Sequence, residues 1–150
     1  MTHITVPGAI GGWMLALQAA KANRGKLPLD VLLSNATGHA RDGYRVTRSQ
    51  NQLTENHLAE LKDVPGFAAT FLVGGNVPDV GTTLKQQALA ATLEQLAHAG
   101  LDDFYRGDIG REIAADLESI GSPVTREDLN RYEAKIAEPL RAELDRKSVV

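Results

Sequence analysis

The sequence predicts a mainly α fold, an irregular bundle of about six or seven helices, and three observations carry that prediction. Apolar residues recur at the helical period over most of the chain. Capping signals and glycine stops bracket those stretches. No alternation of strand with helix announces a doubly wound sheet.

The elements follow in order. After Val6-Pro7-Gly8, the run Ile10, Trp13, Met14, Leu17 makes one apolar stripe, and Gly25 closes the segment behind Lys21 and Arg24. Pro28 suits the first position of a second helix, where its missing N–H costs nothing. Val31, Leu32, Ala36, His39 and Ala40 continue that helix until Arg41-Asp42-Gly43 supplies a left-handed stop. Thr47-Arg48-Ser49-Gln50 fits a capping box: the hydroxyl accepts from the amide three residues on and the glutamine reaches back. Leu53, His57, Leu58 and Leu61 then share a face.

Between Val64 and Gly81 the pattern breaks at Pro65-Gly66, Gly74-Gly75 and Pro78, which reads as a long Gly/Pro loop holding one short helical turn or strand. Thr83-Leu84-Lys85-Gln86 fits a second capping box, with Leu89, Leu93, Leu96 and Ala97 on one side before Gly100. Ile109, Ile113, Leu117 and Ile120 recur at one helical face, with Gly121 just past the end. Thr125-Arg126-Glu127-Asp128 opens a helix with Asp in place of the usual Glu, and Leu129, Tyr132 and Ile136 form its apolar side. In the tail, RAELDRK favours helix by propensity while Ser148-Val149-Val150 favours a short C-terminal strand, and both remain open.

Composition bounds the class. A chain of 150 residues, 43% hydrophobic and 23% charged, with 14 Gly and 6 Pro, is that of a single soluble globular domain rather than a disordered or fibrous one. Sixteen basic and 19 acidic side chains give a net charge of −3, which supplies no excess of positive charge for nucleic acid or anionic lipid. The charge is uneven, +4 over residues 1–50, −3 over 51–100 and −4 over 101–150, and reads as solvated helix faces. With no cysteine, disulfides, thiolate chemistry and Cys-ligated zinc are excluded. The apolar runs are too short for a membrane span, and MTHITVPG lacks the basic and apolar regions of a signal peptide, so the chain itself gives no address.

The residues offer little chemistry. His3, His39, His57 and His98 are all more than four positions apart, and His57-Leu58-Ala59-Glu60-Leu61 lacks the second histidine of a helical zinc pair, so no metal site is expected. His39 and His57 read as hydrogen-bonded core histidines. There is no Gly-x-Ser-x-Gly elbow, and Pro123 stands where the helix behind Ser122 would have to begin. Gly8, Gly11 and Gly12 lack both the dinucleotide spacing and a Gly-Lys-Ser/Thr, which makes helix packing their reading rather than a phosphate cradle. Glu112 and Asp116 lie one turn apart on a wet face, with nothing to raise either pKa for acid–base work.

Six blocks nevertheless stand in a specific order. Val6-Pro7-Gly8 with Gly12-Trp13, Gly25-Lys26-Leu27-Pro28, and Ala40-Arg41-Asp42-Gly43-Tyr44 with Val46 are followed by Gly81 with Leu84, Gln86, Leu89, Ala90, Thr92 and Leu93. Gly100 with Phe104-Tyr105-Arg106-Gly107, and Thr125-x-Glu127-Asp128-Leu129-x-x-Tyr132 before Glu138-Pro139-Leu140, complete the series. In order and spacing they resemble the middle of the large subunit of the gamma-glutamyltransferase (gamma-glutamyltranspeptidase) family.

The resemblance implies an N-terminal-nucleophile acyltransferase or hydrolase made as one precursor, which cuts itself into large and small subunits. The freed threonine, activated by its own α-amine, attacks the γ-glutamyl bond of glutathione, and the glutamyl group passes to water, an amino acid or a peptide. Family members are often periplasmic or extracytoplasmic. The family's carboxylate-binding arginine lies upstream of the match, and its threonine nucleophile and Gly-Gly oxyanion pair lie downstream. Thr82-Thr83 precedes Leu84 and is not the cleavage site. No catalytic, cofactor-binding or metal residue therefore carries over, and Gly43, Thr125, Phe104 and Tyr105 are expected to maintain shape. The expectation is a fragment without activity of its own, partnered by the missing small-subunit half or by a second copy. The alternative is a standalone helical interaction module that self-associates or binds another protein.

Overall fold

The computed structural model describes residues 4–140, 142–144 and 147–149. It is mainly α, with eight helices and two small two-stranded sheets among the described residues. A single-turn helix over Phe67–Phe71 is the short turn expected within the Gly/Pro loop, another over Asp103–Arg106 is too short for periodicity to show, and the chain divides into two compact units.

One unit is the continuous stretch Leu27–Gly100. It contains the second helix of the chain, α2 at Leu29–Asp42, strand β1 at Tyr44–Arg45, α3 at Arg48–Leu61, α4 at Phe67–Phe71, β2 at Thr83–Leu84 and α5 at Gln87–Ala99. Helices α2 and α5 pack together. Leu33, Thr37 and Ala40 are buried on α2, and Ala90, Leu93 and Leu96 on α5. The expected α2 stripe is thus rotated: Val31 and Leu32 are exposed, and so is His39. Apolar residues at 31, 32 and 33 leave period alone unable to choose a face, and the packing with α5 chooses the one carrying Leu33. Leu89 and Leu53 are likewise exposed rather than core, and on α3 only Thr54 is buried.

The Thr83 capping box does not form. Gly43 ends α2 with φ +100, turning the chain so that Tyr44 and Arg45 pair antiparallel with Leu84 and Thr83. Val46 N donates to Thr82 O at 2.9 Å, and Gly81 N to Val46 O at 2.8 Å. Thr83 is therefore extended, and α5 begins four residues later. Instead of reaching back to Thr83, Gln86 donates its side-chain amide to Thr70 O at 2.6 Å and its backbone amide to Ala40 O at 2.8 Å. At the start of α3 the box forms by half: Thr47 Oγ1 accepts from Gln50 N, while the Gln50 side chain donates to the Tyr44 hydroxyl at 2.9 Å.

The other unit takes the described residues up to Lys26 and from Leu101 onward. It holds helix α1 at Ala9–Ala22, α6 at Asp103–Arg106, α7 at Asp108–Ser119, α8 at Arg126–Arg131, and an antiparallel hairpin of β3, Ala142–Leu144, with β4, Lys147–Val149. The short C-terminal strand expected from Ser148-Val149-Val150 is found at Lys147–Val149, but Ala142–Leu144, where propensity favours helix, is extended too because it pairs with that strand; residues 141, 145, 146 and 150 lie outside the described residues. Only Ile10 and Gly11 of α1 are buried, and Trp13 of the expected stripe is 44% exposed. Arg24, not Gly25, takes the left-handed turn after α1 (φ 65), and Gly25 N donates to Ala20 O at 2.7 Å. Ile109 is buried at the start of α7, but Ile120 lies past its end and is exposed. Helix α8 stops at Arg131, leaving Ile136 84% exposed instead of on its apolar side.

Candidate functional site

The family-like blocks at residues 6–8, 104–107 and 125–132 converge on one joint in the unit built around α6, α7 and α8. Its centre is Tyr105, 1% exposed, and Leu129 of α8 is fully buried. A helix start leaves backbone amides without partners, and a side chain at the N-cap normally takes one of them. Gly8, the N-cap of α1, has no side chain to do so. The Tyr105 hydroxyl replaces it, accepting from Gly11 N at 3.0 Å and donating to Pro7 O at 2.7 Å. Burial is the main influence on this phenol and raises its pKa above the usual 10.0, against a smaller lowering by the Gly11 amide. The neutral hydroxyl is thus kept as donor and acceptor at once.

The same device recurs at α7. Its N-cap is Gly107, and the Asp103 carboxylate accepts from Asp108 N at 3.1 Å and Ile109 N at 3.2 Å. A Cβ on Gly107 would fall on that carboxylate. At the other end of α6, the Arg126 guanidinium donates to Tyr105 O at 2.5 Å and to Arg106 O at 2.9 Å. Gly110 leaves the slot through which it reaches, because a Cβ there would meet both Arg126 Nη1 and Tyr105 O at 2.5 Å. Arg126 is itself the first residue of α8, whose capping box is complete: Thr125 Oγ1 accepts from Asp128 N at 3.2 Å, and Asp128 Oδ2 accepts from Thr125 N at 2.8 Å. Hydrogen bonds from the Thr125 side chain and backbone hold the Asp128 pKa below its usual 3.8.

Aromatic rings close the joint. Tyr132 stacks on Tyr105 at 4.9 Å between centroids, and Phe104 meets Tyr105 edge-on at 5.0 Å. Phe104 and Tyr105 therefore anchor a corner as the sequence predicts. The expectation of packing glycines near the N-terminus also holds at two positions: a Cβ on Gly8 would lie 2.7 Å from the Tyr132 hydroxyl, and one on Gly11 2.8 Å from Tyr132 Cε1. Gly12 has open space instead.

An open cleft of about 480 Å³ runs beside the joint, lined by Gln18 and Met14 of α1 with Asp102, Arg106 and Glu133. Arg106 is already committed, to Asp102 at 2.6 Å and to Tyr132 O at 3.0 Å. No serine, threonine or histidine lines the cleft. The arrangement satisfies helix ends and holds turns together.

Elsewhere, Glu112 and Asp116 are both exposed, as a wet helix face requires. His57 is not the core histidine expected from its position, because it lies on the exposed side of α3 with Nδ1 3.3 Å from Glu60. His39 is exposed too, and His3 lies outside the described residues. Among the described residues no three His, Cys, Asp or Glu side chains gather where they could hold a metal ion. No helix among them is long and apolar enough to cross a membrane. Sequence reasoning missed Asp103 and Arg126; for Asp103 the visible signal was a glycine at the start of α7, which has no capping side chain of its own, and Arg126 gave none.

Residues 1–150 match the family model described as gamma-glutamyltranspeptidase. The chain belongs to the gamma-glutamyltranspeptidase family. It is 42% identical over 138 residues to the oxamate amidohydrolase proenzyme of Klebsiella pneumoniae, covering 91% of this chain and 26% of that protein. It is 35% identical over 138 residues to an acylase ACY 1 proenzyme of a Pseudomonas species, covering 92% and 24%. Among solved structures, the gamma-glutamyltranspeptidase from Pseudomonas nitroreducens in complex with L-DON is similar with a TM-score of 0.78 and 33% identity, over 96% of this chain and 41% of that one. This gamma-glutamyltranspeptidase-family chain spans about a quarter of the length of those curated relatives.

Proposed function

We propose that these 150 residues act as one helical scaffold segment of the large subunit of a gamma-glutamyltranspeptidase-type amide-cleaving enzyme, and that the catalytic threonine and the substrate-binding arginine are supplied from outside them. What supports this reading most directly is the Tyr105 joint, whose polar groups are spent on helix ends and turn carbonyls. In this reading the chain by itself transfers no γ-glutamyl group, and its partner is the small-subunit half that carries the threonine. Glutathione is the substrate that the family resemblance suggests. The relative with 42% identity is named for oxamate instead, which makes oxamate a second candidate substrate of the whole enzyme.

The test has two arms. The purified chain, incubated with a γ-glutamyl anilide, is expected to release no product; release in proportion to chain concentration would refute the proposal. In the Klebsiella proenzyme, replacing the matching segment with residues 6–140 is expected to preserve self-cleavage and amide hydrolysis, as a scaffold should. Loss of both in a soluble chimera would count against it.

A second reading, a helical module that pairs with another copy or another protein, draws on the exposed apolar side chains of Leu27, Val31 and Leu32, which are 66%, 51% and 44% exposed. A chain that stays monomeric in light scattering at high concentration would count against it.

A further inference from the structure

We infer that Tyr132 and the notch made by Gly8 and Gly11 form a conformational strap: seated, it holds the first turn of α1 against the Tyr105 hydroxyl, and withdrawn, it widens the adjoining cleft and frees that turn. Three observations carry this. First, the notch fits the ring closely, since a single added carbon on either glycine would come within 2.8 Å of Tyr132. Second, α1 buries only Ile10 and Gly11, so most of its length contributes little to holding its start in place.

Third, the strap is lightly fastened. Tyr132 leaves α8 in an extended conformation (φ −63, ψ 129), and residues 133–140 have no regular structure. Past Ala134, which lies 3.0 Å from where a Gly11 Cβ would stand, Ile136 and Leu140 are 84% and 95% exposed. The Tyr132 hydroxyl reaches Gly8 O only at 3.5 Å, the outer limit of a hydrogen bond, and its carbonyl shares Arg106 with Asp102. The stacked ring is therefore the principal fastening. Whatever grips residues 135–140 pulls on Tyr132, and through it on the amide of Gly11, the group that Tyr105 caps. The start of α1 and the segment leaving α8 are thereby coupled across more than a hundred residues of chain.

Hydrogen exchange on the full chain tests this. Tyr132→Ala is expected to speed exchange of the Gly11 and Gly12 amides on the order of tenfold, the mark of a local opening, while amides of α2 and α5 stay as protected as before. Gly8→Ala is expected to do the same by pushing out the ring. Its effect should largely vanish in a Tyr132→Phe background, where the offending oxygen is gone and the next ring atom lies 3.5 Å away. Unchanged Gly11 protection in Tyr132→Ala would overturn the strap. So would an even loss of protection through both units, or a Gly8→Ala effect undiminished by Tyr132→Phe. If Tyr132→Ala does not fold, the Gly8 and Tyr132→Phe pair decides alone.

Discussion

The Tyr105 hydroxyl accepts the amide hydrogen of Gly11 at 3.0 Å, from a position 94 residues later in the chain. A tertiary contact thus performs what a serine or aspartate at position 8 would otherwise do locally, and the stability of α1 depends on a residue of α6. The consequences are measurable.

Tyr105→Phe keeps the ring and its stacking but strands the Gly11 amide and the Pro7 carbonyl. The expected loss is about 1–3 kcal/mol of unfolding free energy, read as a lower urea midpoint at unchanged slope. A midpoint equal to that of the parent would mean that water serves those two groups equally well.

Alkaline pH should act through the same hydroxyl. Its folded pKa is raised above 10.0, so the folded chain holds the proton that the unfolded chain releases first. Stability from this group is complete below pH 10.0 and is lost as pH rises through the raised value. The Tyr105→Phe variant should lose less stability than the parent between neutral pH and that range, as followed by circular dichroism.

At α8 the sign is opposite. Asp128 is held below 3.8, so its contribution is present above that pH and disappears as pH falls through the lowered value. Thr125→Ala should cost about 1 kcal/mol at neutral pH. The gap between parent and Asp128→Ala should close under acid below pH 3.8, whereas a gap constant from pH 7 to pH 2 would show that the carboxylate charge is irrelevant to the cap.

Gly43→Ala is expected to be among the most damaging single-methyl additions. Position 43 has φ +100, and the new Cβ would stand 2.5 Å from Thr83 Cγ2 and 3.0 Å from Leu84 O. With ψ 162 the position lies in the extended positive-φ region almost reserved for glycine, where strain of about 1–3 kcal/mol adds to an overpacking cost of about 1–3 kcal/mol. Gly66→Ala, at φ +82 with nothing within 4 Å, should show the strain alone. Equal losses for the two variants would mean that the β1–β2 pairing moves aside freely.

Much of this molecule is written locally. The Thr125–Asp128 box and the stops at Gly43, Gly100 and Gly121 act within one or two turns of chain, and each is found where the sequence puts it, whereas the apolar period located the longer helices but not the faces they bury. The order of the family-like blocks, likewise a property of the linear sequence, was enough to name the family. Tertiary structure alone decided the rest, because those choices depend on partners distant in sequence. Whether Thr83 would cap a helix or extend beside Tyr44 turned on where Gly43 sent the chain. Which face of α2 was buried turned on α5. That Tyr105, Asp103 and Arg126 serve helix ends other than those of their own local caps follows from desolvation: buried amides and carbonyls must find partners, and with glycine at the N-caps of α1 and α7 the nearest groups in space take the place of the nearest in sequence.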